Sequence, residues 1–294
     1  MLTGFRSFDE LLVLSSFNET RVLSFSSAEG AEDEIEEIDL PAFVAETATL
    51  LACHLGALFA QVTASGIGYS DGTDANVGRW APEGGKKITL AVTDGTRIVL
   101  AVEGGVIVLL EEQAGGLVQV GCVDTPTRER RRADDSLGRS TQLVNEIACL
   151  DIATVGSEAV AAVGLWTAQT VLLISIPSLA TLSSQILDTT YLIRSVLLTT
   201  FSDGITHLFA GLGDGSLTSF VVDKASGSIV ESTRKTVTLG TRPIVMCAFT
   251  TKGVVSVFVS SDRPTVISRA GDKLVYSSVN LKVRLPYAHP CSVR

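Results

Sequence analysis

Few residues in this 294-residue chain have the types and spacing that chemistry requires. There are three histidines, His54, His207 and His289, and none shares a local motif with a nucleophile. No Gly-x-Ser-x-Gly elbow is present. The acidic run Glu29–Asp39 holds Glu29, Glu32, Asp33, Glu34, Glu36, Glu37 and Asp39. A calcium loop needs convergent carboxylates around a turn-forming glycine, and Gly30 alone does not supply that spacing, so the run reads as a solvated loop. Gly211-Leu212-Gly213-Asp214-Gly215 has the glycines of a phosphate cradle. It lies between two apolar runs with no helix behind it, so it reads as a hairpin turn in which Asp-Gly provides positive φ. Arg128, Arg130, Arg131 and Arg132, followed by Asp134 and Asp135, read as a nuclear-import or phosphate patch, or more plainly as a mobile surface insertion whose charges partly cancel. No enzyme is expected, and no catalytic, cofactor-binding or metal-ligating residue is assigned. Some hydrolases do assemble metal sites from residues on scattered loops, and a hydrolase or lactonase stays as the rival reading.

Trp166 is different. Only two tryptophans occur, Trp80 and Trp166, and Gly164-Leu165-Trp166-Thr167 puts the second at the lip of a hairpin. An aromatic on a rigid rim buries large area on binding at low entropic cost, whereas one wedged between sheets is only packing. Local sequence leaves both readings open.

Six short apolar hairpins position these residues. They are 11–17 with 21–25, 58–64 with 67–70, 97–102 with 106–110, 160–166 with 170–176, 208–212 with 217–222, and 254–260 with 265–268. Their turns centre near 19, 66, 104, 168, 214 and 263, at intervals of 47, 38, 64, 46 and 49. The long interval contains the arginine-rich stretch 125–143; without those 19 residues it is 45. A strand repeat with a period in the forties predicts a β-propeller of WD40-like four-stranded blades. Apolar runs before the hairpins (47–53, 88–92, 147–152, 193–199, 244–249) suit innermost strands buried on both faces. Alternating or polar runs after them (35–40, 117–123, 182–187, 229–237, 274–279) suit outer strands. Ala42–Leu51 has some helical character, but Thr47 and Thr49 favour a strand.

The pattern predicts one all-β domain over residues 1–294, with six blades and an incomplete seventh. Residues 1–10 supply at most an innermost strand, and the tail Val283–Arg294 carries two prolines where a last blade should close. A truncated chain is the expectation there. Hydrophobic residues make up 46% and charged residues 19%, enough for a large core. The most apolar stretch, 88–110, is interrupted by Asp94, Arg97 and Glu103, too polar for a spanning helix. With no leader before residue 20, the chain reads as soluble and intracellular. Cys53, Cys122, Cys149 and Cys247 lie in apolar runs and are expected to be small core residues; Cys291 is in the tail. Net charge −9 argues against direct nucleic-acid binding.

Several strings carry a resemblance. Asn145-Glu146-Ile147-Ala148-Cys149-Leu150-Asp151-Ile152, Gly164-Leu165-Trp166-Thr167 and Arg194-Ser195-Val196-Leu197-Leu198-Thr199-Thr200-Phe201 are similar to the family of large subunits of damaged-DNA-binding complexes, the adaptors of cullin-4 ubiquitin ligases. So are Leu212-Gly213-Asp214-Gly215, Val237-Thr238-Leu239-Gly240-Thr241, Ser261-Asp262-Arg263-Pro264-Thr265-Val266-Ile267 and Asn280-Leu281-Lys282. The resemblance runs from about residue 10 to 282 and extends more loosely to propeller subunits of polyadenylation and splicing factors. It implies the middle propeller of three, a noncatalytic scaffold that docks on the N-terminal region of cullin-4, in the nucleus and also the cytoplasm. Substrate receptors would engage the other propellers. It also implies that Glu146 and Trp166 lie at the cullin interface. Ala168 replaces the aspartate that usually follows Trp-Thr, and the insertion 125–143 lies directly before Glu146, where it is expected to flank the docking face.

Overall fold

The computed structural model describes residues 2–8, 11–26, 34–126, 128–130, 141–143 and 145–279, with the backbone alone for 2–8, 26, 34, 128–130 and 141–143. Runs rich in valine, isoleucine, leucine and threonine form strands, and Gly, Asp and Asn punctuate them, because β-branched residues fit a pleated surface and the punctuating residues accept turn dihedrals. The first sheet holds β1 (Leu2–Phe8), β2 (Leu11–Ser16), β3 (Thr20–Ser26) and β4 (Glu34–Ile38). The second holds β5 (Leu51–Leu55), β6 (Leu58–Thr63), β7 (Gly66–Ser70) and β8 (Val77–Trp80). The third holds β9 (Ile88–Thr93), β10 (Arg97–Val102), β11 (Val106–Gln113) and β12 (Gly116–Asp124). A two-stranded ribbon follows, β13 (Arg128–Arg130) with β14 (Thr141–Leu143). The fourth sheet holds β15 (Ile147–Val155), β16 (Glu158–Leu165), β17 (Thr170–Ile176) and β18 (Thr181–Ile186). The fifth holds β19 (Ile193–Thr200), β20 (Thr206–Leu212), β21 (Ser216–Val222) and β22 (Ile229–Thr238). The sixth holds β23 (Val245–Thr251), β24 (Val254–Ser260), β25 (Thr265–Ala270) and β26 (Lys273–Ser278).

All six sheets are antiparallel meanders with their strands in sequence order, the blade plan that the hairpin repeat predicts. The described residues fall in two compact units, those within Met1–Val102 and Val108–Val120 forming one and those within Glu103–Ile107 and Gly121–Pro286 the other.

In the second unit, period-2 alternation lets each face of the fifth sheet serve a different neighbour. Val196, Leu198, Leu208, Ala210 and Leu212 join Cys149, Val160, Ala162 and Val171 of the fourth sheet in one core. Leu197, Phe209 and Leu217 point the other way, into a core with Ile244, Met246, Val257 and Val259 of the sixth. Polar stitches reinforce the packing: Leu198 N–H donates to Asp151 Oδ2 at 2.7 Å, and Ser195 Oγ to the Ile244 carbonyl at 2.7 Å. In the first unit, Val13, Val22 and Ala52 form a smaller core with Ile38, Leu40 and Phe43 against it.

Four expectations need correction. The deepest burial lies in the second strands, β16 and β20, rather than the innermost ones; β9 and β23 are largely half-exposed. A second strand is covered on both faces and hydrogen-bonded on both sides, whereas the first is a sheet edge. Residues 47–50 do not extend β5, which begins at Leu51. Thr47 and Thr49 instead serve a turn, the Thr47 carbonyl accepting Thr20 Oγ1 at 2.7 Å and Thr49 Oγ1 lying 2.7 Å from the same hydroxyl. The acidic run is not a loop throughout: Glu34, Glu36 and Glu37 lie on β4, where the outer-strand run 35–40 was expected; Glu29, Glu32 and Asp33 lie outside the described residues. Cys53 and Cys149 are buried as expected, but Cys122 is exposed and Cys247 half-buried, Cys122 because it lies on an outer strand. The expected unfinished blade from Asn280 onward, with His289 and Cys291, lies outside the described residues. Among the described residues no helix is long and apolar enough to cross a membrane.

Candidate protein-docking site

The β15–β16 pairing ends at Ile147 opposite Leu165. The next residue outward on each strand is therefore a rim residue: Glu146 on one, Trp166 on the other. Trp166 N–H donates to the Glu146 carbonyl at 2.8 Å, so the two backbones are joined past the last strand pair. Leu165 is fully buried, whereas Trp166 is 45% exposed. Strand alternation and the end of the sheet together expose the indole. Its other side meets Arg194, whose guanidinium carbon stands 6.0 Å from the ring centroid. A cation over an indole face is an attractive contact, and it steadies the ring against free rotation. The indole is supported on one side by Arg194 of the fifth sheet and presents its other face outward.

Glu146 is fixed as well. Gly104 N–H donates to its Oε1 at 3.1 Å. Asn145, the residue before it, is buried and clamps the root of the insertion. Thr125 Oγ1 donates to the Asn145 carbonyl at 2.9 Å, Thr125 N–H donates to the Gly105 carbonyl at 2.8 Å, and Asn145 Nδ2 donates to the Pro126 carbonyl. From that root Arg128, Glu129 and Arg130 pair with Leu143, Gln142 and Thr141. The base of the insertion is thus a paired ribbon planted beside Glu146. Arg131, Arg132, Asp134 and Asp135 lie outside the described residues.

Gly164 explains part of the Gly-Leu-Trp-Thr string. A Cβ at that position would strike Cys149 Sγ and come within 3.1 Å of Ile193 Cγ2. Cys149 fills that space from the neighbouring strand of the same sheet and Ile193 closes it from the fifth sheet, so only glycine fits, and the close approach of the fifth sheet carries Arg194 to Trp166. Other recognisable strings prove structural. Asp262 Oδ1 accepts Thr241 N–H at 2.7 Å and Arg242 N–H at 3.2 Å, so the strings around Leu239 and Arg263 meet each other. Those backbone donors, Thr241 first, hold the Asp262 carboxyl below its ordinary range. Gly215 takes φ +85° in the Asp214-Gly215 turn, as a hairpin there requires.

Two of the reactive side chains, Cys149 and His207, are buried. Burial pushes the Cys149 thiol well above the usual thiol range, so it stays protonated. His207 is lowered to about 4, by burial first and the Arg269 charge second, with Asp203 opposing. Its Nε2 lies 2.8 Å from Arg269 Nη1, and Arg269 pairs with Asp203. That constellation joins β20 to β25 and holds no nucleophile. Among the described residues no group of three or more His, Cys, Asp or Glu could hold a metal.

Residues 3–285 match the family model described as RSE1/DDB1/CPSF1 second beta-propeller. The chain belongs to this family. The chain is 36% identical over 281 residues to DNA damage-binding protein 1 of Oryza sativa subsp. japonica, covering 94% of this chain and 24% of the relative. It is 33% identical over 292 residues to DNA damage-binding protein 1 of Drosophila melanogaster, covering 97% and 23%. It is 35% identical over 283 residues to DNA damage-binding protein 1a of Arabidopsis thaliana, covering 94% and 24%. The chain thus spans about a quarter of the length of the curated relatives it matches, and the fold expected from the repeat is the family's fold.

Two exposed residues on the same rim had no signal in the hairpin pattern. Ile186, the last residue of β18, is 56% exposed and pairs with Thr170; Tyr191, on the connector to β19, is 51% exposed. An apolar residue at a strand end looks like core in sequence, and Tyr191 lies between strands where no periodicity reaches it.

Proposed function

We propose that this chain is a noncatalytic scaffold of the nucleus, a propeller that docks on the N-terminal region of cullin-4 through Trp166 and Glu146. The observation that carries the reading is the half-exposed indole, supported from behind by Arg194 and joined to Glu146 through the backbone. A pre-positioned aromatic loses little side-chain entropy on binding and is the commonest kind of interface anchor. The similarity to proteins named DNA damage-binding protein 1 supports a role within that kind of assembly. In such a role the propeller fixes the orientation of a ligase arm, and partners perform the ubiquitin transfer. Substrate receptors engage parts of the longer protein that this chain does not span.

The test is titration calorimetry of the chain with the N-terminal region of cullin-4. Trp166→Ala with Glu146→Ala should weaken binding by roughly 2 kcal/mol or more, about 30-fold, with circular dichroism and melting unchanged. Unaltered affinity would refute the docking site. The family description also covers RSE1 and CPSF1, so pull-down from nuclear extract is the complementary assay. Recovery of cleavage-factor or splicing subunits in place of cullin-4 would redirect the reading to RNA processing.

A further inference from the structure

We propose that the β10–β11 turn, Glu103-Gly104-Gly105, is the positioning element of the Glu146–Trp166 pair, and that Gly105 and Thr125 are positioning residues that set the pair's place without touching a partner. The proposal rests on the docking reading above and deepens it.

Glu146 and Trp166 lie past the last paired residues of β15 and β16, where the sheet no longer fixes them. A glutamate at such a place has several side-chain torsions to order, and ordering them on contact costs affinity. The turn supplies what the sheet end lacks. Gly104 N–H donates to Glu146 Oε1 at 3.1 Å, a charge-assisted contact that holds one carboxylate oxygen while the residue stays exposed on the rim. The Glu146 carbonyl accepts Trp166 N–H at 2.8 Å, so a displacement of Glu146 passes to the backbone that carries the indole.

The turn is itself held by close packing. Gly105 has φ +72°, and a Cβ there would lie 2.5 Å from the Asn145 carbonyl oxygen and 2.6 Å from Thr125 Oγ1. Those two atoms share a hydrogen bond, Thr125 Oγ1 donating to the Asn145 carbonyl at 2.9 Å. Thr125 N–H donates to the Gly105 carbonyl at 2.8 Å, which closes a circuit of Gly105, Thr125 and Asn145 directly before Glu146. Thr125 and Asn145 are buried, so a docking protein meets the consequence of the circuit and not its members. Other glycines show the contrast. Gly95, Gly204 and Gly253 also have positive φ, but a Cβ on them meets nothing within 4 Å. Gly215 of the fifth sheet makes the same kind of approach, to Gly240, with Leu239 N–H donating to its carbonyl at 2.9 Å. The blade plan thus provides the tight turn, and the third sheet adds an amide aimed at a rim carboxylate.

The test uses the intact chain in a Trp80→Phe background, so that Trp166 is the sole indole. The cullin-4 N-terminal region is titrated calorimetrically, and iodide quenching of Trp166 is read in the folded chain without partner. Thr125→Val keeps the side-chain volume and removes the hydroxyl; it should weaken cullin-4 binding about fivefold and alter the quenching. Thr125→Ser keeps the hydroxyl and should restore both readings. Gly105→Ala should act in the same direction and weaken binding about tenfold, since alanine fits neither the φ nor the space. Asp262→Ala, which removes hydrogen bonds between other strings, should change neither reading. A Thr125→Val chain that is destabilised yet keeps parental affinity and quenching overturns the proposal, and so does a loss that Thr125→Ser fails to restore. If Trp166→Ala with Glu146→Ala leaves cullin-4 binding unaltered, the docking reading fails. The positioning then stands on altered quenching in Thr125→Val and is overturned by unaltered quenching.

Discussion

Gly164→Ala is the sharpest test of how the rim is assembled. The built Cβ meets Cys149 Sγ inside contact distance, Ile193 Cγ2 at 3.1 Å and Val196 Cγ1 at 3.5 Å. All three neighbours are buried, at 7%, 0% and 6% exposure, and belong to the core between the fourth and fifth sheets. Cys149 is the cross-strand partner of Gly164 in the same sheet, so its thiol must turn aside or the strand pair distort, while Ile193 and Val196 require the fifth sheet to give by a few tenths of an ångström. Overpacking of this kind costs about 1–3 kcal/mol. Position 164 lacks positive φ, so alanine also gains about 0.4–1 kcal/mol by restricting the unfolded chain. The net expectation is a loss of about 1–2 kcal/mol. Urea unfolding followed by far-ultraviolet circular dichroism reads it as a lowered midpoint. Trp166 emission in the folded state should also change, because the same displacement moves Arg194 from the indole. Cys149→Ala removes the sulfur that the new methyl strikes, so the double variant should recover about 1 kcal/mol of coupling in a mutant cycle. A Gly164→Ala protein as stable as its parent, or strictly additive single and double variants, would refute the close approach as the reason for this glycine.

Three more outcomes follow from the same packing. Arg194→Ala should leave stability within about 0.5 kcal/mol yet broaden Trp166 emission and raise its quenching by iodide, since the lost contact is an exposed cation–π pair. His207 is held neutral in the folded chain, at about 4 against an ordinary 6.5, so the unfolded chain takes up the proton first. Stability is then full above pH 6.5, falls between 6.5 and about 4, and levels below that; the loss is of order 2 kcal/mol, and His207→Gln should flatten it in denaturation series across that range. Asp262→Ala removes the acceptor for Thr241 and Arg242 N–H and should cost about 1 kcal/mol, with faster amide exchange confined to residues 239–242.

Local rules explain what could be read in advance. Each predicted hairpin is present, because turn residues and apolar runs act within a few positions of one another. Rules of that range miss β8, whose Val77-Gly78-Arg79-Trp80 has little strand character of its own. It exists because Val77 to Trp80 pair with Ser70 to Ile67 and the Tyr69 ring covers Gly78, leaving no room for a side chain. Thr47 and Thr49 have strand propensity but are taken by Thr20, 27 and 29 residues away in sequence. Cys122 has the composition of core and the location of surface.

The same division holds at the rim. The strand period and the Gly-Leu-Trp-Thr turn by themselves determine that Trp166 ends a hairpin, and the resemblance points to it and Glu146 as a pair. Only the tertiary structure decides that the indole is backed by Arg194, that Glu146 is held by Gly104, and that Ile186 and Tyr191 lie on the same exposed rim. Those facts depend on how one sheet leans on the next, through contacts such as Gly164 against Ile193 and Val196. Residues from separate blades meet there, and no short-range pattern in a chain records the distance between them.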